Sequence, residues 1–379
     1  MIINKPPMGW NSWNTFGEKI NEEVVLKSAE SLIKNGLAEI GYKYVVIDDC
    51  WSLKERDENG RLAADPKKFP HGIKYVADKI HGMGLKFGMY SCAGLMTCAG
   101  YPSSLDREWV DAQTFADWGV DYLKYDFCYH PWNRRGEDLY RAMGFALSNC
   151  GRDILFSACS WGTDQTHEWI RTTGANIWRS TGDIFDNWES VKNLILEQKD
   201  RFAFGGKGCF NDMDMLVVGM RGKGHVGLGG CSDAEYRTHF AAWCMLQSPL
   251  MIGCDVNEMD DFTLNLLKNP ILLGINQDEK CAQTYRCDAC YDYDHGDYFI
   301  LIRLLSNGDL AIGYFNLSDG ERNIIGTLSD FGINVVSNKK LELQNCWTNE
   351  KSYSVNGIVE VKLPAHESVV FRARIVSPN

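Results

Sequence analysis

Val120-Asp121-Tyr122-Leu123-Lys124-Tyr125-Asp126 reads as a β-strand that carries two charges on one side. Side chains alternate across a strand, so Lys124 and Asp126 share a face, and in a closed barrel that face can open on a site. A carboxylate two residues from an ammonium stays ionised at neutral pH, as a nucleophile must. The plain alternative is an inner-face salt bridge. Either way the polar residue sits at the strand's C-terminal end, and the rest of the fold can be read outward from that placement.

Upstream, short β-rich runs ending in polar or aromatic residues recur at Met8-Gly9-Trp10-Asn11, at Tyr44 to Asp49 and at Leu85 to Tyr90. Downstream they recur at Ile154 to Cys159, Ile177-Trp178-Arg179, Asp212 to Leu216 and Leu250 to Asp255. With the central strand this makes eight. The intervening segments, such as Glu22 to Asn35 and Gly72 to Met83, have the 3.6-residue periodicity of helices. Alternating βα units closing at eight predict a (β/α)8 TIM barrel. A doubly wound sheet also alternates, but it gathers its chemistry at one switch point, whereas here polar residues end several different strands.

After about residue 280 the texture changes to alternating strands and turns, as in Tyr298 to Arg303, Ser306-Asn307-Gly308-Asp309 and Leu310 to Phe315. The chain is therefore expected to divide into a catalytic barrel over 1–280 and a C-terminal antiparallel β-sandwich domain over 281–379. A length of 379 residues suits a barrel of about 250 residues with an appended domain.

A net charge of -11 repels polyphosphates and anionic lipid, so nucleic acid and membrane are not expected partners and a neutral substrate fits better. The opening Met1-Ile2-Ile3-Asn4-Lys5-Pro6-Pro7 lacks a basic segment followed by an apolar run, which predicts a cytoplasmic location. Fourteen cysteines spread along a chain of this size are then expected to be mostly buried thiols. Nothing in the composition specifies an oligomeric state.

A second carboxylate comes from Trp178-Arg179-Ser180-Thr181-Gly182-Asp183-Ile184-Phe185-Asp186-Asn187-Trp188, a loop in which Asp183 and Asp186 compete. A retaining glycosidase needs two carboxyl groups about 5–5.5 Å apart, one ionised and one protonated. The structural alternative for Asp186 is a helix N-cap and for Asp183 a loop turn. Asp48-Asp49 ends another strand. Without a further carboxylate cluster, hydrogen bonding to sugar hydroxyls is a better reading than magnesium. Trp10, Trp13 and Trp51, at or beyond strand ends, could cover the C–H face of a sugar.

Other signals carry less. Gly219 to Gly230 is glycine-rich without a phosphate-loop spacing and reads as a flexible loop. Cys281, Cys287, Cys290 and His295 contain a single C-x2-C step, for which ordinary thiols outweigh zinc. Lys124 could also serve a Schiff-base lyase. His225 and His239 stay unassigned.

Met8-Gly9-Trp10-Asn11-Ser12-Trp13, Ile47-Asp48-Asp49-Cys50-Trp51, Tyr122 to Asp126 and Trp178 to Asp183, joined by Asn211 to Met215 and Pro249 to Asp255, resemble glycoside hydrolase family 27 in matching order. That family comprises α-galactosidases and α-N-acetylgalactosaminidases. The resemblance runs from about Pro6 to Asp278 and implies a barrel with a C-terminal β domain, retention of configuration, and neither metal nor cofactor. It puts Asp126 at the nucleophile position and Asp183, rather than Asp186, at the acid/base position. It implies a sugar pocket of Trp13, Asp48, Asp49, Tyr90, Cys98, Lys124, Arg179 and Asp214, and a disulfide between Cys98 and Cys128. Other pairs found in the family have no counterpart, since Ala175 stands where the partner of Cys159 would be and no cysteine is available near Phe16 to pair with Cys50. Phe210 and Met213 replace the Trp and Pro common there.

In Cys159-Ser160-Trp161-Gly162-Thr163-Asp164, Ser160 and Thr163 stand where the family sets the wall opposite C2. Small side chains there would admit a 2-acetamido group, yet microbial α-galactosidases vary at the Ser160 position. The resemblance thus implies removal of terminal α-D-galactose, with α-N-acetylgalactosaminides as the alternative substrates. β-L-arabinopyranosidase and a non-catalytic galactose-binding protein are more distant.

Overall fold

The computed structural model describes residues 3–201, 203–287 and 296–377. Eight short parallel strands make the first part: β1 (Met8–Asn11), β2 (Tyr44–Val46), β3 (Lys86–Cys92), β4 (Tyr122–Asp126), β5 (Leu155–Ala158), β6 (Ile177–Arg179), β7 (Phe210–Asp212) and β8 (Leu250–Ile252). They pair in sequence order, and β8 returns to β1 with Met8 opposite Leu250 and Trp10 opposite Ile252. The last gap is closed beyond β7. There Leu216 bridges to Ile252, its N–H donating to Met251 at 2.7 Å and its carbonyl accepting from Gly253 at 2.9 Å.

The expected strand Asp212 to Leu216 is thereby corrected. Pairing ends at Asp212 because Asp214 takes the left-handed conformation, φ 86°, which breaks the ladder before Leu216 rejoins it. Both expected helices form, at Glu22–Lys34 and Gly72–Gly82. The Asn21 side chain caps the first by accepting from the Val24 N–H. Each buries one stripe, Val25, Ala29 and Leu32 in the first and Ile73, Val76 and Ile80 in the second.

Strand alternation sorts the barrel into layers. Inward-facing Tyr44, Val46, Tyr122, Leu155, Ile177, Phe210 and Met251 form an apolar plug at its lower end. Outward-facing Leu123, Tyr125 and Trp178 join the core shared with the helices. Full burial of such side chains contributes roughly 1.5–3 kcal/mol each. With the lower end so stabilised, the next inward positions, Lys124 above Tyr122 and Arg179 above Ile177, are free to carry charge.

The C-terminal part is antiparallel: β9 (Tyr285–Cys287), β10 (Tyr298–Leu304), β11 (Leu310–Asn316), β12 (Arg322–Thr327), β13 (Lys340–Asn345), β14 (Lys351–Tyr353), β15 (Ile358–Leu363) and β16 (Ser368–Val376). Six of these strands form one sheet in the order β14-β13-β16-β11-β10-β9, and β12 and β15 form a ribbon. Ile300, Ile302, Ile312 and Tyr314 of the sheet pack on Ile324, Val359 and Leu363 of the ribbon. The other sheet face, with Phe299, Leu301 and Phe315, merges into the barrel's own core. Arg303 is fully buried at this junction and donates to the carbonyls of Cys244, Met245 and Ile275 around helix C-termini, where a cation is favoured. Cys281 carries a free thiol. Cys290 and His295 lie outside the described residues.

Candidate active site

Above the plug a cavity of about 190 Å³ opens at the C-terminal ends of the strands. Trp13, Asp48, Asp49, Tyr90, Cys98, Lys124, Asp126, Arg179, Asp183 and Asp214 line it together. Its size is on the scale of a single sugar ring.

The floor is built around Lys124. Its ammonium donates to Asp48 Oδ2 at 2.8 Å, an oxygen that also accepts from Asn11 Nδ2 at 2.8 Å, while Oδ1 accepts from the Asp49 N–H at 2.9 Å. Burial disfavours the ammonium, but Asp48 and Asp126 outweigh it and raise Lys124 well above its ordinary value. A permanently charged, ion-paired amine is a poor Schiff-base nucleophile, so the lyase reading loses its basis. Asp49 accepts from the Cys50 and Ala99 N–H groups, and burial raises its carboxyl against their pull.

Asp126 ends β4, and Cys92 of β3 is its neighbour in register. Its Oδ2 accepts from the Tyr90 hydroxyl at 2.9 Å and its Oδ1 from the Phe127 N–H at 2.9 Å. Burial raises this carboxyl, with Lys124 and the Phe127 N–H opposing. Burial and the nearby Asp126 hold Tyr90 protonated, so the phenol remains the donor. Cys98 and Cys128 form a disulfide, Cα to Cα 5.1 Å, that ties the loop after β3 to the loop after β4. The Cys98 sulfur lies 3.6 Å from Asp126 Oδ2. Among the described residues this trio is the one group of His, Cys, Asp or Glu ligand atoms close enough to hold a metal ion, and its sulfurs are spent in the disulfide.

On the opposite wall the buried Arg179 guanidinium lies 2.7 Å from both Asp183 Oδ1 and Asp214 Oδ2. Burial, offset by Arg179 and reinforced by Asp183, pushes the Asp214 carboxyl up to about 7. Burial also raises Asp183, but Arg179 and Lys124 together outweigh it and hold that carboxyl below its usual range. Two carboxyls sharing one guanidinium titrate as a pair, and near neutral pH the pair keeps one proton. The Asp183 side chain is 66% exposed, facing the cavity and its mouth, whereas Asp214 is buried.

Several expected residues fall elsewhere. Asp186 is not the N-cap: Asn187 is, accepting from the Ser190 N–H. Asp186 is buried and accepts from the Tyr236 hydroxyl at 2.8 Å and the Gly222 N–H at 2.6 Å. It therefore pins the glycine-rich loop that was expected to be flexible, aided by Val226 N–H to Asn14 and Asp186 N–H to Val226, both at 3.0 Å. Trp10 and Trp51 are core residues whose indoles donate to the carbonyls of Cys254 and Tyr90, which leaves Trp13 as the one of the three tryptophans that lines the cavity.

Ser160 and Thr163 do not line the cavity. Ser160 is fully buried with its hydroxyl 2.6 Å from that of Thr166, and Thr163 bonds the Ser160 carbonyl and borders a separate surface groove with Trp161. The turn at Trp161, φ 58°, tucks Gly162 against the Ser180 backbone and draws both small side chains off the wall. Conversely Asn14, Ile184, Phe185, Met215, His225 and Val226 line the cavity unforeseen. A charged residue at a strand end would have flagged them, and none of the six has that signature; only proximity to Trp13, Asp183 and Asp214 marks four of them.

A barrel whose mouth gathers ion-paired carboxylates and an indole around a ring-sized cavity defines a glycoside hydrolase. The family model described as alpha galactosidase A matches residues 5–278, and the one described as the alpha galactosidase C-terminal beta sandwich domain matches 295–373. The α-galactosidase of Cyamopsis tetragonoloba is 39% identical over 362 residues, 95% of this chain and 84% of that one. The structure of α-galactosidase I from Mortierella vinacea superposes with a TM-score of 0.89 at 34% identity, over 98% of this chain and 97% of that one. That of the Saccharomyces cerevisiae α-galactosidase with raffinose gives 0.87 at 29%, over 98% of each. The chain belongs to the α-galactosidase family of glycoside hydrolases.

Proposed function

We propose that the protein removes terminal non-reducing α-D-galactose by double displacement, with Asp126 as nucleophile and Asp183 as acid/base. The observation that carries this is the pair of unlike carboxyls on one ring-sized cavity, Asp126 deep and hydrogen-bonded through both oxygens, Asp183 at the open side against Arg179. Donors on both Asp126 oxygens favour the ionised form required for attack at the anomeric carbon. Departure of the leaving oxygen needs a proton on Asp183, and the Asp183/Asp214 pair keeps one near neutral pH. A sugar ring that fills the cavity strips water from Asp183, and desolvation favours its protonated form. After attack the same carboxylate takes a proton from the incoming water, which releases galactose with its configuration retained.

Asp48, Asp49 and Lys124 offer a fixed acceptor–donor set to the hydroxyls on the far side of the ring, where galactose differs from glucose. A site of buried polar groups rejects a misplaced hydroxyl strongly. Preference for galactose over N-acetylgalactosamine is supported by the small cavity, to which Ser160, buried elsewhere, and Thr163, on a separate groove, add no space. Side-by-side hydrolysis of 4-nitrophenyl α-galactoside and 4-nitrophenyl α-N-acetylgalactosaminide is expected to favour the first by at least tenfold in kcat/KM, about 1.4 kcal/mol. Preference for the second would reverse the specificity, and inertness on both would leave a binding protein.

A further inference from the structure

We propose that His225 and Phe185 form the site for the first residue of the leaving group, one wall of which is supplied by the glycine-rich loop. This rests on Asp183 as the acid, because the leaving oxygen must reach that carboxyl. The cavity has room for one ring, so whatever is bonded to that oxygen lies outside it, against the rim nearest Asp183. Phe185, two residues on, is a large apolar ring left 46% exposed at that rim. His225 faces the same opening from the glycine-rich loop and is likewise exposed.

The two are built as one unit. Asp186, next to Phe185, bridges to Gly227, and its N–H donates to Val226, next to His225, at 3.0 Å. The His225 N–H donates to the Thr15 carbonyl at 3.1 Å, and its ring stands edge-on to Trp13 with centroids 4.8 Å apart. Gly17, φ 48°, makes the seat: a Cβ there would lie 2.8 Å from the imidazole. Among the described residues no hydrogen bond engages the imidazole nitrogens, so a side chain fixed in place keeps a free donor and a free acceptor. Beside an exposed phenyl ring, that combination suits a pyranose, whose C–H face stacks while its hydroxyls hydrogen-bond.

The test compares raffinose, which presents a sugar at this rim, with free galactose, which occupies only the inner cavity. His225→Ala and Phe185→Ala are expected to raise KM for raffinose about fivefold or more, near 1 kcal/mol by the affinity relation. The constant for competitive inhibition by galactose should stay within about twofold. His225→Asn, which keeps a donor and an acceptor, should recover part of the loss, and Gly17→Ala, which displaces the ring without touching sugar, should mimic His225→Ala. Equal weakening of raffinose and galactose would overturn the proposal, as would unchanged raffinose kinetics in both alanine variants. Failure of the Asp183 assignment shows separately, as an Asp183→Asn enzyme that still cleaves raffinose at the wild-type rate.

Discussion

The floor and the rim of the cavity are made in different ways. Floor residues occupy inward positions of strands or the positions just beyond them, as Lys124 and Asp126 follow Tyr122 on β4 and Arg179 follows Ile177 on β6. Pleat geometry aims them, and they hold one another by ion pairs and short hydrogen bonds. The rim is loop: Phe185, His225 and Val226 owe their places to backbone hydrogen bonds and to one buried carboxylate, Asp186. Chemistry therefore resides where geometry is rigid, and the surface that meets the variable part of a substrate resides where insertions cost least.

Substitutions in the floor should act on turnover or on folding. Asp126→Asn is expected to lower kcat by several orders of magnitude while galactose still binds, as steady-state kinetics and calorimetric titration would show. Lys124→Met strands the Asp48 and Asp126 carboxylates. Breaking a buried pair costs about 3–5 kcal/mol, so a lowered midpoint of denaturant unfolding should accompany lost activity. Intact stability would mean that the cation compensates neither carboxylate.

The rim should respond more mildly. Asp186→Ala leaves the Tyr236 hydroxyl proton and the Gly222 N–H without an acceptor at about 1–3 kcal/mol and loosens the loop, so KM for oligosaccharides should rise more than kcat falls. The Asp183/Asp214 pair lies between the two regions, and its signature is pH. As pH climbs past about 7 the shared proton is lost, the acid disappears, and kcat should fall on the alkaline side. Asp214→Asn removes the neighbouring charge that retains the proton. Asp183, then left to Arg179, titrates lower, and the alkaline fall should begin at lower pH. The smallest effect is expected from Ser160→Ala. A hydroxyl directed at Thr166 should change the ratio of galactoside to N-acetylgalactosaminide hydrolysis by less than about twofold, and a larger change would return Ser160 to the wall.

The same division governs what the sequence made legible. Alternation and strand-end polarity exposed the barrel, Lys124 and Asp126, because a period of two is written directly in residue order. The choice of Asp183 over Asp186 needed the ordered motifs of a family, since loop residues have no period. The left-handed turns at Asp214 and Trp161 left no local signature, so the interruption after β7 and the withdrawal of Ser160 and Thr163 went unread. Likewise the glycine-rich loop looked flexible because its anchor, Asp186, lies 36 residues from the Gly222 N–H it holds. The Cys98–Cys128 bridge was implied by resemblance alone, and a disulfide is more at home in an oxidising compartment than in the cytoplasm expected from the N-terminus.

A covalent route through Asp126 fixes the anomeric form of the sugar that leaves first. Proton NMR of the first galactose released, recorded before mutarotation, tests it most directly: α-galactose is the result expected of double displacement, and β-galactose appearing first would contradict it.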